Sequence, residues 1–304
     1  MAFTAKDVQA LREKTGCGMM DCKKALTECD GDMEKAVDFL REKGLAQQAK
    51  KAGRIAAEGA VLVYEADGVA AAVEINAETD FVAGGDLFKE LTLKVAQVVA
   101  EQNPADVEAL GNCALDGKTV NEAVQDLFLA VRENIKIRRF ERFEGNVGSY
   151  VHGGGKIGVL VNFDTTAEVA ATAEFKTLTK DIAMQIAAAN PTFLDRDSVP
   201  AETIEHEKNI MISQMKEDPK MANKPEQVLA KIVEGKMGKY FSEVCLLEQT
   251  YVKDGDFTVG KYIESVAKKL GGDIKLVKYA RLEKGEGLEK RSDNFADEVA
   301  SMMK

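Results

Sequence analysis

The sequence predicts an α+β protein: three short N-terminal helices, an α+β core built twice with antiparallel sheets, an inserted helical hairpin and a C-terminal helix. Three observations carry this. Apolar residues recur at helical spacing through the first fifty residues. Two stretches, 60–101 and 147–189, each read as strand, turn, strand and helix. The two helices also share residues at one constant spacing. Phe88, Lys89, Leu91, Thr92, Val95, Ala96, Val99, Ala100, Asn103 and Pro104 recur as Phe175, Lys176, Leu178, Thr179, Ile182, Ala183, Ile186, Ala187, Asn190 and Pro191. Most of these pairs are identities and Asn-Pro ends both copies, so chance matching of one helical face is a poor account.

Thr4 followed by Asp7 reads as an N-cap with an acidic first turn, and Val8 and Leu11 mark one face of the helix that follows. Thr15-Gly16-Cys17-Gly18 breaks it. A second helix spans about 19–28, with Met19, Cys22, Ala25, Leu26 and Cys29 on its core face. Met20, Lys23, Lys24 and Thr27 lie on another face. Met20 has two readings: a partly exposed residue covering a neighbouring helix, or an adaptable contact for a partner. A third helix starts near Asp32, carries Met33, Ala36, Val37 and Leu40, and is expected to stop at Gly44. Together 1–52 form a small helical module, and 47–59, rich in Ala, Lys and Gln, reads as a linker with some helical content.

The first core subdomain is expected over 56–146. Asp67-Gly68 is its hairpin turn, and Thr119 with Glu122 is a capping box for a helix striped with Val120, Ala123, Val124, Leu127, Phe128 and Val131. The second is expected over 147–282. Its insertion, about 199–241, reads as two helices around Asn223-Lys224-Pro225, the first with Ile204, Met211 and Met215, the second with Val228, Leu229, Ile232 and Val233. These stripes are either the hairpin's own seam or a docking face. Strand signals follow at 244–247 and 274–279, and a last module over 286–304 carries Phe295, Val299 and Met302. The repeat also isolates a difference: Asp80 and Phe81 fall opposite Ala167 and Glu168. Phe81 either caps the sheet or projects from it.

Composition and motifs narrow the function. The net charge of −10 argues against a nucleic-acid binder, which carries a basic patch or stripe. No apolar run approaches the roughly 20 residues of a bilayer span, and 1–10 has no signal-like apolar region, so a cytoplasmic protein without a membrane partner is expected. Cys17, Cys22, Cys29, Cys113 and Cys245 read as buried, reduced thiols, and with only His152 and His206 no zinc set assembles. Gly153-Gly154-Gly155-Lys156 lacks phosphate-loop spacing and reads as a hairpin turn. His206 reads as a solvated surface residue, and His152 as structural or a partner contact. No catalytic set or cofactor site stands out, so a binding protein is expected over an enzyme.

Leu11 to Leu26, Thr79-Asp80-Phe81-Val82-Ala83, 133–139 and the last helix with Phe295 and 298–300 together resemble the elongation factor Ts family, in order along the whole chain. The resemblance implies a ubiquitin-associated-like N-terminal domain. It implies binding to the GTPase elongation factor Tu, with promotion of GDP and Mg²⁺ release. Thr79, Asp80, Phe81 and Val82 are implied to dislocate the GTPase's Mg²⁺, and Met19, Met20, Lys23, Val131, His152 and Val252 to make further contacts. Two departures from the family pattern are Gly84-Gly85, where a basic residue is usual, and Arg132, where a small one is expected. The competing reading is an adaptor or scaffold that uses only its N-terminal helices.

Overall fold

The computed structural model describes residues 3–217 and 224–289. The expected final helix with Phe295, Val299 and Met302 lies outside the described residues, as does Asn223 of the hairpin turn. In chain order the elements are α1 (Ala5–Thr15), α2 (Met19–Glu28), α3 (Met33–Lys51), β1 (Glu58–Ala66), β2 (Val69–Ala77), α4 (Asp80–Gly84), α5 (Asp86–Gln102), α6 (Val107–Asn112), β3 (Ala114–Leu115), β4 (Lys118–Thr119), α7 (Val120–Val131) and β5 (Lys136–Glu144). Then follow β6 (Asn146–His152), β7 (Ile157–Asp164), α8 (Ala167–Ala170), α9 (Ala173–Ala189), α10 (Ala201–Glu217), α11 (Glu226–Val244), a 3₁₀ turn at Leu246–Glu248, α12 (Val259–Leu270) and β8 (Lys275–Glu283).

The chain divides into two compact units. One holds the segment up to Phe143, Val151–Gly158 and the segment from Leu282; the other holds Glu144–Tyr150 and Val159–Arg281. The sheet of the first copy has the order β1-β2-β5, and that of the second β6-β7-β8. β1 and β2 pair antiparallel around Asp67 and Gly68, both left-handed, the geometry a two-residue hairpin turn needs. Helices α5 and α9 end on Asn103 and Asn190, with φ of 47° and 45°.

The duplication runs further than those helices. Thr119, Val120, Ile135, Lys136, Arg142 and Glu144 recur at a second constant spacing as Thr258, Val259, Ile274, Lys275, Arg281 and Glu283. Thr119 and Thr258 each cap a helix by accepting a backbone N–H, from Glu122 and Lys261. Both helices end on a left-handed residue, Arg132 and Gly271. Each copy is therefore hairpin, short helix, long helix, second helix and third strand. The second copy alone carries the α10–α11 hairpin, whose Met215, Leu229, Val233 and Met237 pack with Phe241 and Val199 as its own seam.

The first helix opens on the expected Thr4 cap, and the structure adds that Asp7 closes it into a capping box by accepting from Thr4 N. Helix α3 runs through Gly44 to Lys51, so the expected stop at Gly44 is wrong, and the expected linker is helical up to Lys51. The reason is tertiary: a Cβ on Gly44 would lie 2.4 Å from Leu129 Cδ2, so glycine serves the close approach of α3 to α7. Met19, expected in the core, is half exposed, because the packed stripe of α2 begins one turn later, at Cys22. The expected strand at 244–247 is also absent. Val244 ends α11, Leu246 opens the 3₁₀ turn, and Cys245 makes a single bridge to Phe193. A short apolar run does not by itself separate a strand from a buried helix end. All five cysteines are free thiols; Cys17, Cys22 and Cys245 are buried, while Cys29 and Cys113 are half-buried.

Helices α1–α3 share one apolar cluster, Val8, Leu11, Cys17, Cys22, Leu26 and Leu40, which is closed by Phe128 and Leu129 of α7. The repeat shows what these two residues are for. Their counterparts on α12 are Ala267 and Lys268, small and charged, on a helix face that covers no such module among the described residues. Leu129→Lys should therefore release α1–α3 from α7 at a cost above about 2 kcal/mol, while the β1-β2-β5 sheet stays formed. Limited proteolysis of 45–57 beside circular dichroism measures this; unchanged protection of that segment would refute the docking.

Among the described residues no helix is long and apolar enough to cross a membrane, and no group of three or more His, Cys, Asp or Glu side chains is placed to hold a metal ion.

Candidate functional site

The motif 79–83 folds into the short helix α4, directly after the fully buried end of β2. Thr79 is its N-cap, and its hydroxyl accepts from Val82 N at 3.3 Å. Val82 packs inward against the core cluster, and Ala83 is buried within it. The four implied residues thus divide: Thr79 and Val82 build the turn, while Asp80 and Phe81 face solvent. Phe81 is 87% exposed, which excludes the reading that it caps the sheet. Its counterpart in the second copy, Glu168, stands at the same place on α8, behind the equivalent cap Thr166 and beside the buried Val169. The scaffold needs the cap and the valine. It does not need an aromatic ring in water.

The α7–β5 connection fixes this turn. The Glu133 carboxylate accepts from Glu78 N at 3.1 Å, Thr79 N at 3.0 Å and the Thr79 hydroxyl at 2.7 Å. In return Glu78 accepts from Asn134 N at 2.7 Å, and the Asn134 amide donates to the carbonyls of Ala52 and Arg54. The preceding residue, Arg132, reaches the other way. Its guanidinium donates to Asp21 on α2 at 2.6 Å and to Gln47 on α3 at 2.6 Å, and its carbonyl accepts from Lys51. The departure at Arg132 is thereby accounted for, because three consecutive residues hold both the helix that carries Met20 and the turn that carries Phe81. Charge reversal tests the clamp. Arg132→Asp should loosen α2, and adding Asp21→Arg should restore it. Amide exchange across 19–28 is the readout, and no recovery in the double variant would dismiss the pair.

Strand β2 also carries a buried ion cluster. Glu74 of β2 is 0% exposed and accepts from Arg138 at 2.9 Å, Arg139 at 2.6 Å and Gly285 N at 2.8 Å. Arg139 also donates to the Glu283 carbonyl and pairs with Glu286, and Arg138 donates to the Glu286 carbonyl. Burial alone would push the Glu74 carboxyl up. The Gly285 N–H and the Arg139 and Arg138 guanidinia outweigh it and hold the group below its usual 4.5.

The glycine turn is the expected hairpin connection, with Gly153, Gly154 and Gly155 all left-handed. It lies against β1, where Val61 N donates to the Gly155 carbonyl at 2.8 Å and a Cβ on Gly155 would sit 2.9 Å from Ala60 Cβ. That turn, with Lys156, lines a depression of about 420 Å³ together with Asp80, Ala83, Gly84 and Lys89. The structure thus brings Asp80 and the turn that follows His152 to one place. Gly84 contributes only backbone to its wall, where the family pattern has a basic residue. His152 is exposed, and so is His206, as expected. On α2, Met20 is 75% exposed and Lys23 is exposed beside it, which favours the contact reading of Met20. Val131 is half-buried at the end of α7 and packs on the core. Val252 is exposed in the other unit.

The family model for elongation factor Ts matches residues 78–286, from the residue before Thr79 to the Glu286 that pairs with Arg139. Curated relatives named elongation factor Ts extend the match over the whole chain. One from Clostridium perfringens is 50% identical over 99% of both chains, and one from Syntrophotalea carbinolica is 50% identical over the full length of both. One from Clostridium novyi is 49% identical over 99% of this chain and 98% of its own. The chain belongs to the elongation factor Ts family. It is accordingly a translation elongation factor, and its α+β fold is the one that the sequence led us to expect. Sequence alone assigns no role to the Glu78 and Glu133 carboxylates that position this family motif, nor to the buried Glu74.

Proposed function

We propose that the chain is the guanine nucleotide exchange factor of elongation factor Tu, binding its GDP form and promoting loss of GDP and Mg²⁺. The observation that carries this is Phe81, a rigid ring in water on a turn held from behind by Glu133, where the duplicated scaffold has a glutamate. Asp80 beside it adds a carboxylate at the same edge.

The physics needs no covalent chemistry. Mg²⁺ tolerates little departure from octahedral oxygen geometry, so a wedge that moves one partner element by about an ångström weakens the ion and the phosphates together. Linkage makes the effect reciprocal: whatever weakens GDP binding is weakened equally by GDP. Each tenfold gain in release draws on about 1.4 kcal/mol of coupling, more than one exposed ring supplies over several decades. Contacts from Met19, Met20 and Lys23 on α2, from Val131 and His152, and from Val252 would share it. The clamp at Arg132 and Glu133 keeps two of these elements at a fixed spacing.

Accelerated release of labelled GDP from purified elongation factor Tu is the direct test, and an adaptor that uses only α1–α3 would give none. Without the partner, the chain is expected to bind no guanine nucleotide. Calorimetry with GDP and Mg²⁺ checks this, and micromolar binding would replace the exchange reading. Removing 1–52 should weaken the complex and leave both sheets folded. Because that deletion bares Phe128 and Leu129, the truncated chain should also carry Phe128→Ala and Leu129→Lys, which copy Ala267 and Lys268. Undiminished partner affinity would discard the α2 contacts.

A further inference from the structure

The repeat also differs along the long helix. At the positions of Asp181 and Gln185 on α9, the first copy has Lys94 and Val98. Lys94 lies at the surface, paired with Glu90 at 3.0 Å and Asp116 at 2.9 Å, and Val98 is part of the apolar core. At the position of Tyr262 on α12 the first copy has Ala123, which with Lys94, Leu91 and Leu115 lines a cavity of about 310 Å³. The shared scaffold is thus complete without a buried acid, a buried amide or a tyrosine here. Burying such groups is costly unless each is satisfied, so their presence in the second copy calls for something that they hold.

What they hold is three consecutive residues. The Tyr251 hydroxyl donates to Asp181 at 2.9 Å, and the Lys253 ammonium donates to the other Asp181 oxygen at 2.6 Å. Between them, Val252 N donates to Gln185 Oε1 at 2.8 Å. The Gln185 amide in turn donates to Gln249 Oε1 and the Thr250 carbonyl, both at 3.2 Å. Tyr262 donates to Asp181 at 3.0 Å and stacks on Tyr251 with ring centroids 4.2 Å apart. Tyr251 is thereby buried and the Lys253 ammonium is drawn back to Asp181, while the apolar side chain between them stays in solvent: Val252 is 55% exposed.

We propose that Asp181 and Gln185 are positioning residues that preset the Tyr251–Lys253 loop so that Val252 meets the partner GTPase without reordering; this rests on the exchange reading above. Two acceptors one helical turn apart on α9 fix the loop from both sides and through its middle. A loop ordered beforehand loses less freedom on binding, so the gain falls on affinity and leaves the chemistry of release alone.

The test uses the full chain with Gln185→Val, which installs the first copy's residue, and Asp181→Asn, with labelled GDP release followed over a range of factor concentration. Both variants should raise the half-maximal concentration about fivefold at an unchanged saturating rate. The Val252 amide should exchange with solvent about tenfold faster in Gln185→Val. In a Val252→Ala background the same changes should add no further loss, because they act through that side chain. Lower melting temperatures with an unchanged half-maximal concentration would make the pair scaffold only and overturn the proposal. So would additive losses in the Val252→Ala background. If the unmutated chain leaves GDP release unchanged, the exchange reading fails and the contact with it. The amide exchange then still reports whether Gln185 orders the loop.

Discussion

Phe81→Ala should slow factor-stimulated GDP release about tenfold, equivalent to about 1.4 kcal/mol of lost coupling, while the urea midpoint of the chain stays put. The two halves have one cause. The ring is in water, so folding stability changes by no more than about 0.5 kcal/mol, against the roughly 3–5 kcal/mol that truncating a buried phenylalanine costs. The effect should shrink when Mg²⁺ is chelated, since part of what the wedge accomplishes is then already done. Asp80→Ala should act in the same direction, and the double change should be less than additive if the two side chains work as one. Stopped-flow release beside a urea melt decides it, and normal exchange with lost stability would refute the wedge. Phe81→Glu, which copies Glu168, is a second probe that the fold already accommodates at the equivalent turn.

Glu74→Ala should be the most damaging single change to stability, at about 3–5 kcal/mol, because it removes the buried carboxylate that Arg138 and Arg139 share. Glu74→Gln keeps an acceptor and should cost less. The pH dependence has a definite sign. A carboxyl whose folded value lies below its unfolded one stabilises fully above the unfolded value and loses that contribution as pH falls through the folded one. Stability should therefore drop below about pH 4.5 in the parent, and the drop should be smaller in Glu74→Gln. Urea melts at pH 7 and on the acid side measure both. An equally steep acid loss in Glu74→Gln would mean that other carboxylates carry it.

Signals that act over a few residues were legible in the sequence. Asp67-Gly68, the Thr4 cap, the Thr119 capping box and the Asn-Pro helix ends each specify their geometry locally. The duplicated helices were visible because their core faces kept the same residues. Gly44 shows the limit: a glycine that ends a helix and one that lets another helix come close look alike until Leu129 is placed. The apolar run 244–247 failed for a similar reason, since hydrophobicity without a period fits a helix end as well as a strand. The candidate site was half legible. Phe81 stood out because the second copy lacks it, but Glu133, Asn134 and Glu74 gain their meaning mainly from partners 54 or more residues away. Asp181 and Gln185 sat in a helical stripe as polar interruptions until Tyr251, Val252 and Lys253 were placed against them.

The paired joints at Asn103 and Asn190 bear on how the molecule ages. Each asparagine is exposed, and each takes the left-handed conformation that ends its helix. Glycine is the commoner choice there, and an asparagine in a mobile exposed joint invites loss of its side-chain amide. That reaction starts when the next backbone nitrogen gives up its hydrogen and closes a ring on the side chain. Pro104 and Pro191 have no hydrogen to give. The same dipeptide that stops the helix also blocks this route to deamidation, at both joints.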